Sequence, residues 1–371
     1  MEYDETVYAC AINRIFNYNC RDARLITERL ASPSALFSLP ERELRELLHG
    51  NSRYIDAVLS RDCLREAQEE VLWAREKDVR IIYIRDREYP RRLRECPDAP
   101  TVLFYKGCAD LNPARAVAIV GTRKATGYGI TQCRRIIEHL AALKDKPLII
   151  SGLAYGIDIT AHLAAMDCGL LTAAVLPTGM DSIYPTPHRQ HAIRITRQGG
   201  LVTDFPKGAT PMAVTFLRRN RIIAGMSDAV LLIESAEKGG GLITAGMALS
   251  YSREVFALPG RVSDRYSAGC NTLIGKNAAA LISSPSCITE AMGWDDSTPL
   301  PRREKLMQIF EKSDYIRRNI LLALSADSAI DRNTLIEKAG ADPRKVLAAL
   351  TEMELEGTVA ADIFGNYILK V

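Results

Sequence analysis

The 371-residue sequence lacks the features that mark membrane-spanning, secreted and metal-dependent proteins. No apolar run is long enough to cross a bilayer, and the acidic start of the chain lacks the charged and apolar regions of a signal peptide. The nine cysteines include no C-x-x-C pair, and the five histidines form no H-E-x-x-H motif. We therefore predict a cytoplasmic protein with reduced thiols, no metal site and no cofactor.

Acidic side chains are scarce in the middle of the chain. Residues 115–290 carry 19 basic and 12 acidic side chains, a net charge of +7, whereas residues 1–114 and 314–371 are each at −2. Because the excess positive charge coincides with glycine-rich turns, it favours a polyanionic ligand held by this central region rather than by the ends.

The central region is organised around the buried apolar run Val117–Val120 and the turn after it, Gly121-Thr122-Arg123. A helical pattern follows over residues 128–143. Strand, glycine turn and helix form the opening unit of a doubly wound fold, in which backbone N–H groups and a helix N-terminus can bind an anion. Arg123 adds a planar guanidinium suited to phosphate.

This turn departs from two familiar nucleotide motifs. Its order is G-T-R-x-x-x-G-x-G, whereas the dinucleotide motif is G-x-G-x-x-G followed by an acidic residue about 20 residues later. The P-loop spacing fails as well, because Tyr128 and Gly129 follow Gly127. The turn alone leaves two interpretations open, an anion site or merely a tight turn.

Five further apolar runs are typical of buried parallel strands, and each is followed by a loop or turn that contains glycine. They cover residues 148–150, 172–176, 201–203, 229–233 and 254–258. Ligands bind at the carboxyl edge of such a sheet, so the turns predict phosphate binding there, with Arg123, Arg219, Arg221 and Lys238 nearby.

The ends of the chain have a different character. Residues 1–78 show helical spacing, typical of a small packed domain or of a DNA-binding module related to the SAM and helix-hairpin-helix types. Residues 291–313 resemble a linker, and residues 314–371 contain three helices and a hairpin, the pattern of a winged helix-turn-helix. Between them we predict an α/β core over residues 79–290, an extended Rossmann-like parallel sheet with its leading connector.

Ser151, Asp158 and His162 could be imagined as a nucleophilic set, since Asp158 and His162 share a helix face. Ser151 nevertheless lacks the G-x-S-x-G elbow. We expect the three residues to shape the loop and the helix cap rather than to perform chemistry.

Several segments together resemble one family. They are Val117-Ala-Ile-Val-Gly-Thr-Arg123, Ser151-Gly-Leu-Ala-Tyr-Gly-Ile-Asp158, Leu176-Pro-Thr-Gly179 with Ile183-Tyr-Pro185, Phe216 with Arg219-Asn-Arg221, Lys238-Gly-Gly-Gly241 and Phe256-Ala-Leu-Pro-Gly260. Their order and content resemble the DprA/Smf family. The resemblance implies a non-catalytic protein that binds single-stranded DNA and loads the RecA recombinase during natural transformation.

The resemblance also implies which residues line the DNA pocket: Arg123, Ser151, Gly152, Phe216, Arg219, Asn220, Arg221, Lys238, Gly239, Gly240 and Gly241. The glycine turns add Gly121, Thr122, Gly156 and Gly179 to the predicted site. Phe216 would stack on a base, although a helical aromatic residue can equally belong to the core. We expect Arg123→Ala and Arg219→Ala to weaken DNA binding while leaving the fold intact.

The resemblance further implies a homodimer, with Leu273 and Ile274 at its interface. Some family members carry a basic residue or histidine shortly before the pocket phenylalanine, where this chain has Met212-Ala-Val-Thr215. Two rival functions remain open at this stage. One is a Rossmann-like nucleotide phosphoribohydrolase using Glu234 or Glu237, and the other is a nucleotide-sensing module.

Overall fold

The computed structural model describes residues 3–16, 19–294, 309–310, 313–326, 329–362 and 365–370. These residues divide into two compact units, Met1–Trp294 and Asp295–Val371. The linker predicted at residues 291–313 lies largely outside the described residues. Its first residues, up to Trp294, belong to the first unit, and the Trp294 side chain is buried there against one face of the sheet.

The first unit begins with helices that pack into one apolar cluster. Val102 and Phe104 of the sheet belong to the same cluster, so the predicted boundary at residues 78/79 is a change of secondary structure within one compact unit. The helices are α1 (Glu5–Phe16), α2 (Cys20–Arg29), α3 (Glu41–Leu47), α4 (Ser52–Ser60) and α5 (Asp62–Glu76), with a 3₁₀ turn at Pro33–Ser38.

A nine-stranded sheet forms the core of the unit. Its strands are β1 (Arg80–Tyr83), β2 (Val102–Gly107), β3 (Ala116–Val120), β4 (Leu148–Ser151), β5 (Thr172–Val175), β6 (Gly199–Thr203), β7 (Ala229–Leu232), β8 (Glu254–Ala257) and β9 (Ala280–Leu281). The spatial order is β1-β2-β6-β5-β4-β3-β7-β8-β9, and every pairing from β6 to β9 is parallel. Only the pairings of β1 with β2 and of β2 with β6 are antiparallel among the described strands.

Strand β3 shows why a central parallel strand is apolar throughout. Val117 and Ile119 pack into one face of the sheet, while Ala116, Ala118 and Val120 pack into the other. Helices therefore cover both faces, which is the Rossmann-like arrangement predicted from the sequence. They are α6 (Arg91–Arg94), α7 (Gly127–Ala141), α8 (Ile157–Asp167), α9 (Arg189–Arg197), α10 (Ala213–Gly225), α11 (Gly240–Ser250), α12 (Ala268–Gly275) and α13 (Ser286–Ala291).

The second unit is a winged helix domain with its own apolar core. Helices α14 (Tyr315–Ala326), α15 (Arg332–Ala339) and α16 (Pro343–Leu355) precede a hairpin of β10 (Val359–Ala361) and β11 (Tyr367–Leu369). Asp331 and Asp342 cap α15 and α16 through their carboxylates, which fixes where both helices begin. Part of the predicted hairpin, residues 363–364, lies outside the described residues.

Candidate nucleic-acid interface

A cleft of about 550 Å³ opens at the carboxyl ends of β3 and β7. In the sheet, β3 lies between β4, the next strand of the chain, and β7, which comes later in the sequence. The strand order therefore reverses at β3, and doubly wound sheets bind ligands at such a switch point. The cleft is lined by Val120, Gly121, Thr122, Arg123, Ala154, Asp158, Ala213, Phe216, Leu217, Arg219, Asn220, Ile223, Ser235, Ala236, Lys238, Gly239, Gly240, Gly241 and Thr244.

Close backbone packing forms the floor of the cleft. Thr122 N–H donates to Glu234 O (2.7 Å), and Ile157 N–H donates to Thr122 O (3.2 Å), so loops after three different strands are tied together. A Cβ on Gly121 would lie 2.6 Å from the Ile157 side chain. Gly156 has φ +75°, and a Cβ there would overlap Thr122 O, so both positions require glycine.

Positive charge and a helix terminus meet at one wall. Gly240 and Gly241 open α11, and the first N–H groups of a helix have no intrahelical acceptor. Arg123 and Lys238 are exposed beside them, and within the described ranges neither forms an ion pair with a carboxylate. The wall therefore offers free donors and unneutralised charge to an anion.

Helix α10 forms the opposite wall. Its residues at helical spacing, Ala213, Phe216, Leu217 and Asn220, face the cleft. Phe216 is half-buried there, so its side chain lines the cleft instead of filling the core. The Arg123 guanidinium carbon lies 5.0 Å from the centre of the Phe216 ring, a cation–π contact.

Arg219 lies beneath the cleft and is only 4% exposed. Its Nη1 donates to Gly152 O and to Val175 O, the latter at 2.6 Å, and so joins the ends of β4 and β5. Burial lowers the pKa of the Arg219 guanidinium to about 10, and the nearby Asp158 carboxylate opposes this shift. Burial raises the pKa of the Asp158 carboxyl, and the nearby Arg219 charge opposes this shift.

The cleft gathers ten of the fifteen predicted site residues: Gly121, Thr122, Arg123, Phe216, Arg219, Asn220, Lys238, Gly239, Gly240 and Gly241. Five lie outside it. Gly152 and Gly156 pack under its floor, Gly179 abuts Pro206 in a neighbouring loop, and Ser151 donates its hydroxyl to Ile119 O (2.6 Å).

Arg221 is the fifth residue outside the cleft, and its prediction as a DNA contact is corrected by its position. Its guanidinium is buried on the far side of α10, where it pairs with Asp204 and donates to Asp98 O and to Cys20 Sγ (3.2 Å). Residues 219 and 221 are about 200° apart around a helix, so they cannot share one face. Arg221 joins the N-terminal helices to the sheet instead.

Three of the residues considered for catalysis, Ser151, His162 and Glu234, form hydrogen bonds within the fold. Glu234 accepts Thr126 N–H (2.9 Å) and the Thr126 hydroxyl (2.5 Å) at the start of α7. Buried His162 bonds to the Thr172 hydroxyl (2.7 Å), and burial lowers its pKa to about 3. Ser151 and His162 therefore bond to other groups, as expected for residues that shape the loop. Among the described residues no group of three or more His, Cys, Asp or Glu could hold a metal.

Tyr184 belongs to the Ile183-Tyr-Pro185 segment of the family resemblance, but it was not among the predicted site residues. Its ring centre lies 5.3 Å from that of Phe216, with the planes at 72°. Tyr184 and Phe216 are 32 positions apart, so no local pattern joins them. Both residues follow strands that end at the same edge of the sheet, β5 and β6. That shared edge was the sequence feature from which their proximity could have been predicted.

The predicted dimer residues lie on α12. Leu273 and Ile274 pack against the apolar cluster that contains Ala116, Ala118 and Val120 of β3. Both side chains are half-buried, so contacts within the monomer already cover part of their surface.

The winged helix domain combines both signs of charge. Arg344 and Lys345 are exposed at the start of α16, while Arg317 of α14 pairs with Glu352 (2.6 Å) and Glu356 (3.1 Å) further along it. In the described part of the chain, no helix has the length and apolar character needed to span a membrane.

Known proteins match both units. A family model for DNA recombination-mediator protein A matches residues 80–293, and one for the DprA winged helix domain matches residues 311–362. Protein Smf of Escherichia coli K12 is 33% identical over 366 residues, covering 92% of this chain and 94% of that protein. DNA processing protein DprA of Streptococcus pneumoniae is 38% identical over 202 residues, 54% of this chain and 71% of the relative.

Solved structures agree with the sequence relatives. The X-ray structure of DNA processing protein A from Streptococcus pneumoniae matches with a TM-score of 0.68 and 28% identity, covering 78% of this chain and 98% of the other. The structure of the Helicobacter pylori protein, which concerns its single-stranded DNA binding mode, matches with a TM-score of 0.52 and 28% identity, covering 58% and 95%. The chain thus belongs to the DprA/Smf family of DNA processing proteins.

Proposed function

We propose that this protein binds single-stranded DNA in the cleft at the carboxyl ends of β3 and β7. The observation that carries the proposal is the pairing of an anion-binding wall with an aromatic wall. Arg123, Lys238 and the start of α11 can hold phosphates, while Phe216 offers a ring to a base. Duplex DNA hides its bases in the stack, so this combination favours a single strand.

The family supports a role beyond binding. The matching family model describes a recombination mediator, and the Helicobacter relative was studied for its binding of single-stranded DNA. On this basis the protein delivers the bound strand to the RecA recombinase during DNA uptake, acting as a homodimer through the Leu273–Ile274 region. Two linked clefts would raise the avidity for a long strand.

The geometry favours binding over nucleotide hydrolysis. A phosphoribohydrolase needs a carboxylate free to act at the sugar. Glu234 is bonded to Thr126, and Asp158 is buried beside the Arg219 guanidinium. Glu237 is exposed but does not line the cleft.

Titration with labelled oligonucleotides of graded length tests the proposal. We expect single strands to bind more tightly than duplexes. The affinity should fall as the salt concentration rises, and a plot of log affinity against log salt should have a slope of roughly −0.7 for each phosphate neutralised. Arg123→Ala should lower the affinity roughly 10- to 150-fold, the loss of a charge-assisted hydrogen bond of about 1.5–3 kcal/mol, and should reduce the salt slope.

Arg135→Ala is the matched control, because it removes the same charge from an exposed position on α7 that does not line the cleft. Equal losses of DNA affinity in both variants would show that the overall charge of the protein, and not the position of Arg123, determines the effect. Preference for duplex DNA, or affinity independent of salt, would contradict the proposal.

Removing residues 295–371 should leave the single-strand affinity within about threefold of that of the full chain. Residues 314–371 carry a net charge of −2, and electrostatics supplies most non-specific DNA affinity. The comparison uses the 1–294 fragment, whose thermal unfolding and oligomeric mass serve as controls for its integrity. A loss of tenfold or more in a folded fragment would show that the winged helix domain contributes to DNA binding. A gain would indicate that it competes for the cleft.

A further inference from the structure

Tyr184 is an aromatic residue beside the cleft with no function assigned to it. It lies in the loop between β5 and α9, and its side chain is 36% exposed. Its ring meets Phe216 edge to face at 5.3 Å, and no hydrogen bond to its hydroxyl is formed by the described residues. An exposed ring in contact with the cleft aromatic has surface available to a ligand.

The Phe216 ring by itself offers limited room to a base. Arg123 covers part of it, with the guanidinium carbon 5.0 Å from the ring centre, and Tyr184 meets it from another side. A base that stacks on Phe216 must share the ring with Arg123. The next base of the same strand therefore requires a different surface, and proteins that bind single strands commonly stack successive bases on separate aromatic rings.

The loop that carries Tyr184 is held firmly. The Thr178 hydroxyl donates to Ser182 O (2.7 Å), and Ser182 N–H donates to Gly179 O (3.2 Å). His188, at the end of this loop, bonds through Nδ1 to Leu153 O (2.7 Å), which ties the loop to the one that follows β4. The backbone of this loop is therefore held before a ligand arrives, which lowers the entropy cost of ordering it on binding.

From this geometry we propose that Tyr184 is a second base-stacking residue, which forms with Phe216 a two-ring platform for neighbouring bases of a single strand. The inference rests on the proposed DNA-binding function. It adds that the bases themselves, and not only the phosphates, contribute to affinity at two positions.

The test compares a thymidine oligonucleotide with an abasic strand of the same length, which keeps the phosphates and lacks the bases. We expect Tyr184→Leu to weaken binding of the thymidine strand roughly 5- to 100-fold, while its affinity for the abasic strand and its salt slope stay unchanged. Tyr184→Phe keeps the ring and should remain within about twofold of the wild type. Tyr315→Leu is the control, since Tyr315 is 70% exposed in the other unit.

A double variant separates stacking from mere support of Phe216. If Tyr184 stacks on its own base, Tyr184→Leu lowers affinity further in a Phe216→Leu background. No further loss there would overturn the inference, because Tyr184 would then act only through Phe216. Equal losses for thymidine and abasic strands would overturn it as well. A wild-type protein that binds neither strand would instead contradict the proposed function.

Discussion

Asp204→Ala is expected to lower the free energy of unfolding by about 3–5 kcal/mol, the cost typical of breaking a buried ion pair. The Asp204 carboxylate pairs with Arg221 and lies 4.0 Å from Arg218, and the side chain is almost completely buried. Its removal leaves the buried Arg221 guanidinium without its ion-pair partner. Urea unfolding followed by circular dichroism measures the change.

Two comparisons sharpen this prediction. Glu41→Ala removes one partner of an exposed pair, Arg45–Glu41 (2.7 Å), and should change stability by no more than about 0.5 kcal/mol. The double variant Asp204→Leu/Arg221→Met removes both charges and should be more stable than Asp204→Ala. If the free energy of unfolding of Asp204→Ala lies within about 1 kcal/mol of the wild-type value, water or a shifted side chain must compensate the charge of Arg221.

Arg219→Met is expected to lower the free energy of unfolding by about 2–4 kcal/mol, since it leaves two buried carbonyl groups without a donor. Those acceptors, Gly152 O and Val175 O, end two neighbouring strands beneath the cleft. The same change also removes the positive charge that most opposes the burial-induced rise in the pKa of Asp158. The expectation that an Arg219 substitution leaves the fold intact is therefore corrected by the burial of this side chain.

DNA-binding measurements distinguish two possible roles of Arg219, holding the loop beneath the cleft and contacting a phosphate. If it holds the loop, the folded fraction of Arg219→Met should lose affinity with an unchanged salt slope, because no phosphate contact is lost. Arg123→Met, which removes an exposed guanidinium from the same cleft, should reduce the slope and leave the unfolding free energy within about 0.5 kcal/mol. An Arg219→Met protein of wild-type stability with a reduced slope would make Arg219 a phosphate contact after all.

The sequence predicted the central strands well, because each is a short apolar run ended by a loop with glycine. It placed β3 at residues 117–120, close to the observed Ala116–Val120. The start of α10 at Ala213 is harder to predict. Helix ends depend on local capping. Here the Met212 N–H donates to the Thr215 hydroxyl (3.0 Å), a contact that no periodicity predicts.

The sequence predicted most of the residues that line the cleft, but it predicted only partly which way their side chains point. Helical geometry alone separates Arg219 from Arg221. It does not show that Arg219 is buried, because its acceptors lie 67 and 44 residues away in the sequence. The packing of the N-terminal helices against β2 is likewise a long-range contact, and a sequence pattern reports local periodicity only.

The bond from Glu234 to the start of α7 is a feature in which this Rossmann-like fold differs from the dinucleotide-binding arrangement. In the dinucleotide-binding proteins, the helix after the first strand of the doubly wound sheet directs its positive end at a pyrophosphate. In this chain the Glu234 carboxylate already occupies the N–H group of Thr126, and a Cβ on Gly129 would overlap it. The Glu234 carboxylate thus lies at the helix start where dinucleotide-binding proteins place a pyrophosphate. We therefore expect an external phosphate to bind at the start of α11 instead.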